Sequence, residues 1–136
     1  MTVGEMVAGR ELDALVAEKV MGLSPCHFAM RGAIGMNTVW QCQHADQTPD
    51  FSRNCFDATG ELGPHRYSTA IAAAWEVVEK FQHDGWAVEV DWCPAHEQGP
   101  CWFSELSKTG PDYYRDHADT APLAICFAAL EAINHA

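Results

Sequence analysis

Basic residues are scarce in this sequence. Eight Lys and Arg stand against nineteen Asp and Glu, a formal charge of −11. Such a surface repels the phosphate backbone of duplex nucleic acid unless its few cations cluster. No apolar run approaches the ~18 residues that suggest a membrane helix. The N-terminus lacks the basic region and apolar core of a secretory signal. Both absences lead to the expectation of a soluble protein in a reducing cytoplasm. The six cysteines are then expected as free thiols or metal ligands rather than three disulfides.

Catalytic signatures are absent as well. There is no G-x-x-x-x-G-K phosphate loop and no nucleophile in a glycine-tight elbow. Glu89 and Asp91 share a strand face, but alternation turns that face to water. Cys126 lies on an apolar helix face and reads as core. Covalent catalysis needs a nucleophile beside an oriented base, and six cysteines with seven histidines produce Cys–His pairs by number alone. The chain is therefore read as a non-enzyme, with a Cys- or metal-dependent enzyme as the alternative to be tested.

What is present is core. The 136 residues are 48% apolar and include five tryptophans, which suits one folded domain over 1–136. The stretch 67–81, YSTAIAAAWEVVEKF, predicts an amphipathic helix. Ile71, Ala74, Trp75, Val78 and Phe81 would form its buried stripe, with Trp75 in the core. Ser68 or Thr69 is the expected N-cap, and Glu76 with Lys80 an i,i+4 pair on the wet side. A first helix is expected over 10–21, with Leu12, Leu15, Val16 and Val20 inward, Glu11, Asp13 and Glu18 in water, and Gly22 as its stop. A third is expected over 121–134, capped by Asp119 or Thr120, with Pro122 in its first turn. Alternation at 86–92 predicts a half-buried strand, returning as 101–107. The polar run DYYRDHAD reads as a lead-in to the last helix. Region 23–66 is broken by glycine and proline. It offers strands near 26–30 and 37–43 and an irregular loop at 45–64. The order fits a three-layer α-β-α sandwich, an α/β (α+β) fold with a small, mainly antiparallel sheet.

Three stretches, GRELDALVAEKVMG at 9–22, YSTAIAAAWEVVEKF at 67–81 and ADTAPLAICFAAL at 118–130, together resemble the phage ABA-sandwich domain family. The resemblance implies an α-β-α sandwich and a phage or prophage protein at work in the cytoplasm of a bacterial host. It implies no catalytic residue. The matching function is a non-catalytic accessory protein that binds a host factor, either sequestering a nucleotide-like defence signal or blocking a host protein.

Two sets of candidate site residues follow from chemistry. Arg66 stands beside Tyr67 and a helix start at Ser68 and Thr69, where free N–H groups and the helix dipole favour anions. Trp40 or Trp102 would stack on a base. For metal, Cys26, Cys42, His44 and Cys55 lie in the region poorest in regular structure, and structural zinc would tie it down. This zinc-stabilised module is the alternative reading of the whole chain. Cys93 and Cys101 flank the hairpin loop with His96 between them. They could hold a metal, oxidise, or simply be small apolar ends. Ile125 and Ala129 fall off the last helix's main stripe, which leads to an expected homo-oligomer.

Overall fold

The computed structural model describes residues 6–26, 28–31, 39–42, 55–58, 63–110 and 112–135, with backbone alone for 28–31 and 39–42. The first helix, α1 (Arg10–Leu15), runs on into a wider π turn, Val16–Val20. Met21 N–H donates five residues back to Val16 O at 3.0 Å, and Leu23 N–H donates to Ala17 O at 2.9 Å. Gly22 takes φ 71° there, a left-handed end that a side chain would strain. Leu12, Val16, Ala17 and Val20 are buried. Asp13, expected in water, is 4% exposed. Its Oδ1 accepts both Ser68 N–H and Ser68 Oγ–H at 2.7 Å, so burial costs it no partners.

That contact also corrects the expected cap of the central helix, α2 (Ile71–His83). Its N-cap is Ala70, with no side-chain bond. Ser68 instead joins the two helices, since its Oγ also accepts Gly9 N–H at 3.0 Å. The buried stripe of α2 is Ala74, Val77, Val78 and Phe81. Trp75 is 45% exposed and Ile71 54% exposed, against the expectation of core. The observed set is itself an i, i+3, i+4, i+7 stripe, displaced around the helix so that Val77 is inside and Trp75 outside. Glu76 and Lys80 also part company. Glu76 meets His65 Nδ1 at 3.0 Å and Lys80 meets Asp84 at 3.3 Å.

Strands β1 (Ser24–Cys26) and β2 (Phe28–Arg31) follow α1, then β3 (Val39–Cys42) and β4 (Cys55–Asp57). β1 pairs parallel with β4, and β2 antiparallel with β3. β4 lies inside the stretch read as irregular. The main sheet is antiparallel, in order β5 (Ala87–Cys93), β6 (Cys101–Ser107), β7 (Tyr113–Ala118). β7 is the run taken for a lead-in. Alternation along paired strands puts Val88, Val90, Leu106, Ser104, Tyr114 and Asp116 on one face. Cys93, Cys101, Phe103, Arg115 and His117 share the other.

The last helix, α3 (Ala121–His135), packs on β6, β7, α2 and the π turn. Thr120 caps it, with Leu123 N–H at 3.4 Å from Oγ1 and Ala124 N–H at 3.1 Å from its carbonyl. Ile125 is 2% exposed and Ala129 is fully buried. The surface from which self-association was expected is thus covered within the chain. Three main helices, a small antiparallel sheet and a parallel pair make the mixed α/β sandwich expected from the sequence. Among the described residues no helix is long and apolar enough to cross a membrane.

Candidate functional site

The displaced stripe of α2 has a consequence at the surface. Ile71 and Trp75 form one wall of a cleft of about 720 Å³, with edge strand β5 and the start of α3 as the others. Val88, Val90, Trp102 and Pro122 contribute apolar surface; Glu89, Asp119 and Thr120 bring polar groups. Trp102 packs edge-to-face on Trp92, centroids 5.6 Å apart. Trp92 is itself 44% exposed and extends the aromatic surface. Neither Lys, Arg nor His is among the lining residues. Aromatic faces attract cations, and two carboxylates disfavour an anionic ligand. The cleft is therefore suited to an apolar or aromatic group that carries positive charge nearby.

The anion-binding edge expected at 66–69 is divided. Arg66 and Thr69 are exposed, but Tyr67 is 2% exposed and Ser68 fully buried. Burial, followed by Glu76, Asp13 and Cys126, pushes the Tyr67 phenol up to about 12. Tyr67 and Ser68 are thus structural. Arg66 and Thr69 line a separate hollow of about 340 Å³ with Arg10, Asp13 and Pro64. Trp102 belongs to the cleft, not to this hollow. Trp40 lies in β3, and its side chain falls outside the described residues.

Two groups could hold a metal. Of the first, Cys26 is buried and Cys55 half-buried. Pairing of Ser24 with Cys55 and of Cys26 with Asp57 puts the two cysteines on one side of the β1–β4 pair. Cys42 is in β3; its side chain and all of His44 lie outside the described residues. The second group is at the tip of the β5–β6 hairpin. Cys93 and Cys101 are direct partners across it. Ligand atoms of His96, Cys101 and His117 lie within 4.8 Å of one another, and the two imidazole centroids are 4.2 Å apart. Burial, then Cys93 and Asp119, pushes the Cys101 thiol up. Burial, then His96 and Arg115, holds His117 below the usual imidazole range. Reading β7 as a lead-in hid His117. Polar residues on both faces of YYRDHA left no apolar alternation to mark it as a strand.

A sequence profile of the phage ABA sandwich domain matches residues 14–130. No curated protein and no solved structure matches the chain. The profile match starts within α1 and ends within α3, so it spans the cleft and the hairpin tip. The chain therefore belongs to the phage ABA sandwich domain family, a phage-associated domain.

Proposed function

We propose that this is a non-catalytic phage accessory protein that acts in the cytoplasm of the infected bacterium and binds a host protein through the cleft of Trp75 and Trp102. The observation that supports this reading most is the exposed Ile71–Trp75 wall facing an acidic edge. Large apolar side chains held open beside a pocket mark interaction surfaces. The carboxylates of Glu89 and Asp119, on a chain of net charge −11, favour a basic partner and speed its encounter. The occupant is a basic segment that inserts an apolar or aromatic anchor.

Tryptophan fluorescence tests this with peptides of defined composition. Peptides with Arg or Lys around an aromatic anchor should bind, and their acidic counterparts should not. Trp75→Ala should weaken binding by about thirtyfold, as loss of an anchor worth about 2 kcal/mol does. Glu89→Gln should reduce both affinity and its sensitivity to salt. Failure of every basic-aromatic peptide at millimolar concentration would end the reading. Assembly of the protein with itself through the cleft would appear as concentration-dependent light scattering that Trp75→Ala abolishes, and would make a second copy the occupant.

A second reading has its own observation. Arg10 and Arg66 line one hollow with Thr69 and Asp13, and two guanidiniums together suit the phosphates of a nucleotide-like signal. A charge-assisted Arg–phosphate contact contributes about 1.5–3 kcal/mol. Arg66→Ala should then weaken binding of cyclic or ADP-ribose-type nucleotides tenfold to a hundredfold in calorimetry, with no turnover of the nucleotide.

A further inference from the structure

The geometry points to a zinc site at the tip of the β5–β6 hairpin, built from Cys93, His96, Cys101 and His117. Three strands and one turn supply the donors. Cys93 and Cys101 face each other across the hairpin. His117 opposes Phe103 on β7, which places it diagonal to Cys101 on the same sheet face. His96 comes from the turn between the strands and lays its ring against His117, 4.2 Å between centroids.

Donor type and spacing both suit the ion. Two thiols and two imidazoles are a tetrahedral zinc set. Around zinc such donors lie about 3.3–3.8 Å apart, from bond lengths near 2.0 and 2.3 Å. The present spread, within 4.8 Å for three of them, closes to this by small rotations of side chains. Cys93 is the direct partner of Cys101 across the hairpin, so the fourth donor stands on the neighbouring strand and joins the three by a side-chain rotation. The thiols release their protons on binding.

One contact must change when the ion enters. Gln98 N–H lies 3.3 Å from His96 Nδ1, which acts there as acceptor. If Nδ1 ligates the ion, its lone pair is taken. If Nε2 ligates, Nδ1 carries the ring proton. Either way Gln98 loses its acceptor. Zinc would thus clamp the turn and tie β7 to the hairpin. It would do so beside the cleft, since Trp102 and Asp119 of the cleft flank Cys101 and His117 in sequence.

Cobalt titration of the full chain under a phosphine reductant tests the site. One equivalent of Co²⁺ should produce visible thiolate charge-transfer and ligand-field bands, which zinc then displaces. Cys101→Ser and His117→Ala should each weaken uptake by more than about a hundredfold, beyond the loss typical of an outer-sphere change. Far-UV circular dichroism checks their folding. His96→Ala, in a turn, is the variant least able to unfold the domain, and it too should lose the bands. Zinc should raise the melting temperature of the wild type and leave that of His96→Ala unchanged. The Gln98 amide resonance should shift with zinc. Cys55→Ser should behave as wild type. Bands that survive in His96→Ala and His117→Ala, or vanish in Cys55→Ser, would overturn the assignment. So would a reduced wild type that takes up no cobalt.

Discussion

Among the described residues, Asp116 stands in an environment that suits it poorly. It points to the α3 side of β7, opposite Ser104, and its Oδ2 and the Ser104 Oγ are buried without a hydrogen-bond partner. Burial, then Glu131, raises its carboxyl to about 6. The folded chain therefore binds a proton here that the unfolded chain has already released. The resulting stabilisation is complete below about pH 4 and is lost as pH rises through about 6. Asp116→Asn should be about 1–2 kcal/mol more stable than wild type at pH 7.5, after a discount for partial exposure, and nearly equal at pH 4. Urea unfolding at the two pH values measures this. Ser68 is the opposite case. Its Oγ serves Asp13 and Gly9 together, and Ser68→Ala should cost about 1–3 kcal/mol by leaving buried polar groups short of partners. Neither Asp13 nor Ser68 shows this role in sequence, because their contact spans 55 positions and local pattern carries no such pairing.

At the scale of elements, periodicity located the helices and the β5–β6 hairpin but not which stripe of α2 turns inward. Ala74, Val78 and Phe81 belong to both candidate stripes, so the choice rests on Trp75 against Val77. Size alone favours the tryptophan inside, and the structure puts the valine there. Trp75→Ala should accordingly change stability by less than about 1 kcal/mol, far from the 3–5 kcal/mol of a buried tryptophan. Thermal melts of Trp75→Ala and Val77→Ala side by side should show the larger loss in the latter. β7 escaped notice because its inward positions include Asp116, which interrupts the apolar alternation that marks a strand. β4 escaped because three residues, CFD, are too few to show a period. α3 was legible as apolar nearly all round. What the sequence left open was whether its second side met the same chain or another, and α2 and the π turn cover it.

The molecule as a whole combines strong negative charge with an apolar, aromatic opening between helices and sheet edge. The negative charge was legible from composition. The opening was not, because it exists only where the starts of α2 and α3 meet β5. Salt should affect the two properties in opposite directions. It screens repulsion among nineteen acids, and so should raise the melting temperature. It also screens the attraction of a basic partner, and so should weaken binding.

The most direct test of the binding account is photocrosslinking in bacterial cells. A photoreactive phenylalanine derivative would be installed at Trp75, and separately at Glu79, exposed one turn further along α2. The account predicts a discrete adduct with a host protein from position 75, crosslinked at a basic, apolar segment, and none from position 79. Equal labelling from both positions, or an adduct whose crosslinked segment is acidic, would contradict it.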